Sequence, residues 1–168
     1  TTSTHKTFCG PRTGGLILCK ARHAQAIDEA LAPGLQAAPG AHIIAARAVL
    51  FDWVMRPEFR QLMQAVVDGA AGLARGLEME GVSLFAGGTE THMVVVDLRG
   101  SDWPEAELNA RLERHGIIGN TTTLPKRSHD RSSLGLRLGS TPMSIRGLSK
   151  EGFDMLGSMV ATVVNRGP

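Results

Sequence analysis

The sequence predicts a mixed α/β and α+β chain: a short strand-and-helix segment, a long helical connection and a small α+β domain. Three observations predict it. Apolar residues recur at helical spacing from His42 to about Leu77. Beyond them, short apolar or β-branched runs and two helical patterns follow in the order β-β-α-β-β-α. Ahead of them, one continuous apolar run is bounded by glycines. A chain of 168 residues, 42% hydrophobic and 20% charged, has the composition of a soluble globular protein. Its net charge of +2 is spread along the chain, which gives no nucleic-acid interface. No apolar run approaches the length of a membrane span.

In order, Leu16-Ile17-Leu18-Cys19 reads as a short, fully buried strand. Ala24 to Leu31 reads as a helix closed by Pro33-Gly34, and Pro33 to Gly40 as a loop. A helix follows from His42 to Met55, with Ile43, Ala46, Leu50, Trp53 and Val54 on one face. Pro57 either kinks it or opens a new helix, which carries Phe59, Leu62, Met63, Val66, Val67, Ala70 and Leu73 to about Leu77.

Val82 to Phe85 is a candidate strand, Gly87-Gly88 a turn, and Met93 to Leu98 a stronger strand rich in β-branched residues. Pro104, Glu105 and Glu107 open a helix to about Arg114, with carboxylates at its positive end. Gly116 to Gly119 and Leu134 to Leu138 read as strands, and Ser149 or Lys150 starts a last helix, Phe153 to Val164. Met55, Met63, Met93, Met143, Met155 and Met159 are expected in the core, and Trp53 and Trp103 as packing residues. No signal peptide opens the sequence, and Cys9 and Cys19 lack zinc-ligand or Cys-x-x-Cys spacing. A reduced, cytoplasmic protein without a metal site is the expectation, with a Cys9–Cys19 disulfide as the alternative.

Two stretches could carry chemistry. Thr1-Thr2-Ser3-Thr4-His5-Lys6-Thr7 places small hydroxyl residues before one lysine, and Gly10-Pro11-Arg12-Thr13-Gly14-Gly15 leads away from it. Such a setting suits a lysine that holds a carbonyl cofactor as a Schiff base, with hydroxyls for its polar substituents; on composition alone, a lysine beside threonines is more often simply exposed. Arg137 sits in the apolar run Gly135-Leu136-Arg137-Leu138-Gly139. A guanidinium there either meets a bound anion or reaches solvent from an edge strand.

The first stretch, continued by Leu16-Ile17-Leu18, resembles the cofactor-lysine segment of the serine hydroxymethyltransferases, which are fold type I pyridoxal-phosphate enzymes. Gly135-Leu136-Arg137-Leu138-Gly139-Ser140-Thr141-Pro142 resembles that family's carboxylate-binding motif, with Ser140 as an insertion. The resemblance implies pyridoxal 5'-phosphate as cofactor, Lys6 and His5 as catalytic residues, and Ser3, Gly34, Gln36, Ala37 and Ala38 as further cofactor contacts. Arg137 and Arg12 would bind a small amino-acid substrate. His5 is as readily a residue that positions the loop as one that moves protons, and His92 reads as a packing or hydrogen-bonding residue. Arg146 also matches a family arginine and reads as structural or as a supporting charge.

The resemblance further implies that residues 1–41 are the trailing part of an aminotransferase-like large domain, 42–80 connecting helices and 81–168 a complete small α+β domain. The remaining cofactor contacts would then come from a separate chain carrying the N-terminal half, in a dimer of such pairs. Departures bear on the reaction. The family's glycine-rich phosphate loop is Ala32-Pro33-Gly34-Leu35-Gln36-Ala37-Ala38-Pro39 here, and alanines forbid some left-handed geometries. The family's pterin-contacting Asn-x-Asn-x-x-Pro is Asn120-Thr121-Thr122-Thr123-Leu124-Pro125, so a threonine replaces the second amide. Three readings follow in order. The first is a folate-independent aldolase or transaldolase acting on glycine or a β-hydroxy amino acid. The second is a folate-dependent serine hydroxymethyltransferase, and the third a non-catalytic regulatory subunit.

Overall fold

The structure is a computed structural model that describes residues 1–167. The chain forms two compact units, Thr1–Arg60 and Gln61–Pro168. Among the described residues, no helix is long and apolar enough to cross a membrane.

The first unit holds β1 (Thr2–Ser3), β2 (Gly15–Leu16), α1 (Ala21–Glu29), α2 (Ala41–Val54) and the first turn of α3 (Pro57–Met79). β1 and β2 pair antiparallel, with Thr2 opposite Leu16 and Ser3 opposite Gly15. The helical reading from Ala24 extends past α1 through a wide turn, Ala30–Leu35, broken where Ala32 turns extended ahead of Pro33. Pro57 opens a new helix rather than kinking one, because a first-turn position needs no backbone N–H. Phe59, two residues on, packs edge-on against Trp53 at 4.9 Å and parallel to Phe8 at 6.2 Å between ring centroids.

The buried-strand expectation fails in this unit. The apolar run after Gly15 is neither buried nor a full strand: pairing stops at Leu16, and Leu18 is 81% exposed. A continuous apolar run becomes a buried strand only where layers cover both its faces, and within this unit only the two-residue β1 pairs with it. Leu35, Val49 and Met55 are also largely exposed, while Leu50 and Thr4 are buried. Cys9 and Cys19 are both free.

The second unit contains the rest of α3, β3 (Met93–Asp97), α4 (Glu105–Arg114), β4 (Asn120–Thr123), β5 (Leu134–Gly139), α5 (Thr141–Ile145) and α6 (Lys150–Asn165). Its antiparallel sheet has the order β3-β5-β4. One face carries Val94, Val96, Leu136 and Leu138 into a core completed by Leu73 and Leu77 of α3, Leu108 and Leu112 of α4, and Phe153 and Val160 of α6. Helices α3 and α6 meet through glycines. A Cβ on Gly157 would lie 2.8 Å from Gly76 Cα, and one on Gly69 would lie 2.8 Å from Phe153 Cζ. α6 starts as the sequence predicts, with the Ser149 hydroxyl accepting from Gly152 N at 3.1 Å.

The expected strand at Gly116–Gly119 is absent because those residues close α4. Gly116 takes φ of +72°, and Gly116 N and Ile117 N donate to Glu113 O and Leu112 O. Pairing begins only at Asn120, which leaves Ile118 90% exposed. The candidate strand at Val82–Phe85 reduces to a single bridge, Leu84 to Val96, followed by a tight turn at Phe85–Gly87. Met63, Met93 and Met143 are half-buried, but Met55, Met155 and Met159 face outward. On α6 the inward positions belong to Phe153, Gly157, Val160 and Val164, and Met155 and Met159 occupy the opposite face. Trp103 is buried, and its Nε1 donates to Val164 O at 3.0 Å.

Candidate functional site

The lysine segment is a looped hairpin. Thr4 N donates to Gly14 O at 3.1 Å, Gly10 N to Thr4 O at 2.9 Å, and Cys9 N to Lys6 O at 2.8 Å. Lys6 therefore rides on a tight turn, side chain exposed, with Cys9 held at φ of +61° in the left-handed region. His5 is half-buried and its Nδ1 lies 3.1 Å from Gly14 O. Because a carbonyl only accepts, that nitrogen carries the proton and Nε2 keeps the lone pair of the neutral ring. Thr4, just before it, is 1% exposed, and its Oγ1 has no hydrogen-bond partner. Ser3 is half-buried opposite Gly15, and Arg12 is exposed.

The predicted phosphate loop also lies in the first unit. Gly34, Gln36, Ala37 and Ala38 are exposed. Gln36 N donates to Leu31 O at 2.7 Å, so its backbone N–H already has a partner and only its side-chain amide is free to reach an anion.

Arg137 belongs to the second unit. It stands on β5, the central strand, so the edge-strand reading is wrong; it points away from the core, between Val95 of β3 and Asn120 of β4. Burial therefore does not force a counter-anion on it. Its guanidinium nevertheless has no hydrogen bond or carboxylate partner among the described residues. One row along, Thr122 faces Gly135, its Cγ2 3.2 Å from where a Cβ on that glycine would sit.

Ser140, the inserted residue of the motif, is fully buried between β5 and α5. Its N donates to His92 O at 3.0 Å, and its hydroxyl lies 2.5 Å from Val66 O and 3.1 Å from His92 O. The extra residue thus ties the end of β5 to α3. His92 contributes through its backbone carbonyl, and Arg146 is exposed, near Met143 Sδ.

The sequence model of the serine hydroxymethyltransferase family matches residues 1–160. The chain belongs to the serine hydroxymethyltransferase family. Serine hydroxymethyltransferases are pyridoxal 5'-phosphate-dependent transferases of the fold type I α/β class. The serine hydroxymethyltransferase lysine loop here is compatible with that cofactor. It offers an exposed amine on Lys6, carried on a turn that backbone hydrogen bonds hold. Among the described residues neither Arg12 nor Arg137 is neutralised by a carboxylate, so both remain available to anionic groups.

Sequence reasoning missed two arginines. Arg47 of α2 donates from Nη2 to Thr13 O at 2.6 Å, beside the lysine loop. Its signal was a lone cation at a half-buried helical position, next to Ala46 of the apolar face. Arg99, only 5% exposed, donates to both Asp97 oxygens and to Pro125 O, and its carbonyl accepts from Arg131 N and Ser132 N. It fixes the return from β4 to β5 behind the altered pterin motif. The Arg99 guanidinium, hydrogen-bonded to Asp97, holds that carboxyl below the usual range. Asp97 thus contributes stability that is present above the unfolded carboxylate value, about 3.9, and is lost as pH falls through the lower folded one. Urea midpoints of the wild type should drop as pH falls below about 4, and those of Asp97→Asn should drop less; equal slopes would remove the assignment.

Proposed function

We propose that the chain is the lysine-bearing part of a pyridoxal-phosphate-dependent aldolase or transaldolase that acts on glycine or a β-hydroxy amino acid without folate. Residues 1–41 belong to the large domain of the fold type I architecture, 42–80 connect, and 81–168 form the small domain. A further polypeptide segment, on a separate chain, covers the first unit and supplies the remaining cofactor contacts. The exposed Leu18, Leu35, Val49 and Met55 support that cover, since a stable unit of this size buries such residues.

The cofactor, when bound, withdraws electrons from the bonds at the substrate α-carbon. Lys6 holds it through the side-chain amine, with Ser3 and the loop at Gly34, Gln36, Ala37 and Ala38 toward its polar groups. Arg137 takes the substrate carboxylate in a two-pronged hydrogen bond, and Arg12 is a further substrate-binding cation. His5, protonated at Nδ1, has Nε2 open to accept a proton.

The observation that carries folate independence is the Thr122–Gly135 contact. At the position where the family presents a second amide to a pterin, this chain packs a methyl group onto a glycine and has one hydroxyl left. A single hydroxyl cannot reproduce an amide's paired donor and acceptor. The test is to reconstitute the enzyme with the chain that completes it, supply glycine and an aldehyde without folate, and assay for a β-hydroxy amino acid. Product without folate supports the proposal. Strict folate dependence replaces it with glycine–serine interconversion.

A further inference from the structure

Around Gly14 the first unit is closed more tightly than its exposure elsewhere would suggest. A Cβ on that glycine would lie 2.8 Å from Arg47 Cζ and 2.5 Å from Thr4 Oγ1. Nothing but a hydrogen fits there, so the cluster has no room for a ligand, and its two unpartnered donors, Arg47 Nε and Thr4 Oγ1, belong to a packed joint. Three of the bonds that shape the lysine loop pass through this joint. Arg47 Nη2 holds Thr13 O, and the next carbonyl, Gly14 O, accepts from Thr4 N and from His5 Nδ1. Both lone pairs of that carbonyl are then engaged.

We infer that Arg47 is a positioning residue for the lysine loop: by holding the Thr13 carbonyl it orients the Gly14 carbonyl, which fixes His5 as the Nδ1-protonated tautomer next to Lys6. Anchoring the Thr13 oxygen fixes the Thr13–Gly14 peptide plane, and the crowding of Arg47 and Thr4 around Gly14 limits the two rotations that separate this plane from the Gly14 oxygen. The guanidinium suits the task because its fixed fork can bond Thr13 O from one arm while the planar body packs against a glycine. A lysine could keep the bond but not the flat contact; a methionine of similar length keeps neither.

This inference rests on the proposed role of Lys6 and His5 only for its consequence, not for its test. The full chain, without cofactor, would carry nitrogen-15 label in its histidines, with His5 assigned by comparison with His5→Gln. The imidazole nitrogen shifts report which nitrogen is protonated in the neutral ring. Wild type should show a predominant Nδ1–H form at His5. Arg47→Met should move His5 to the tautomer mixture of a free imidazole, and Arg47→Lys should restore most of the wild-type signature. Gly14→Ala, which pushes Thr4 and Arg47 apart while leaving the arginine charge in place, should act like Arg47→Met. A wild-type signature in Arg47→Met or Gly14→Ala with normal helical circular dichroism overturns the inference. If Arg47→Met loses its helical signal, the other two variants decide between the same outcomes. A second readout is borohydride trapping of pyridoxal phosphate on Lys6, followed by mass. It should fall about tenfold in Arg47→Met and by less in Arg47→Lys, the scale of one charge-assisted hydrogen bond. Absence of trapping in the wild type would count against the proposed function while leaving the His5 result standing.

Discussion

Lys6→Ala is expected to abolish capture of pyridoxal phosphate by this chain: after borohydride reduction, no peptide containing residue 6 should carry the cofactor mass. In the completed enzyme the same substitution should lower turnover by roughly a thousandfold or more, because no other group on the exposed turn can form the covalent link. Lys6→Arg should behave like alanine, since a guanidinium keeps the charge but not a usable amine nucleophile. The turn itself should survive, as its bonds run from Thr4 and Cys9 backbone groups and not from the lysine side chain. Retained activity with Lys6→Ala would move the chain to a regulatory role beside an active partner.

The largest effect on stability is expected at the crossing of α3 and α6. Phe153 is 1% exposed and its ring lies over Gly69, so Phe153→Ala should cost about 3–5 kcal/mol from lost burial and the cavity left behind. Gly69→Ala should cost about 1–3 kcal/mol, because its new methyl would meet Phe153 Cε2, Cζ and Cδ2. The two effects should not add. With the ring gone, the alanine methyl enters empty space, and the double variant should be less destabilised than the sum of the singles. Urea unfolding of the four proteins measures this cycle, and strict additivity would mean that the ring and the glycine do not constrain each other.

Much of the second unit is legible in the sequence because its signals are local. β3 follows from Met93 to Asp97, α4 from Pro104 and its flanking charges, and α6 from Ser149 and the spacing of Phe153, Gly157, Val160 and Val164. The lysine segment stands out for a different reason: it resembles the cofactor-lysine segment of the family whose model matches the chain, whereas hydroxyls before one lysine would not by themselves separate it from an exposed lysine.

What failed depended on neighbours. Leu16–Cys19 and Gly116–Gly119 have strand composition, yet the first lacks a cover within its unit and the second is drawn into closing α4. Arg137 is apolar-flanked in sequence but stands on the outer face of a central strand, which only the order β3-β5-β4 decides. Arg47 and Arg99 carry no motif; each matters because it bonds to carbonyls distant in sequence, Thr13 and Pro125. By itself, the sequence determined where the main helices lie and which lysine the loop presents, but it placed Met55, Met155 and Met159 in the core, and all three face outward. Tertiary structure decided what lies against those faces and which carbonyls the arginines reach. The reason is physical: periodicity and capping act within a few residues of chain, whereas burial and hydrogen-bond partners come from segments tens of residues away.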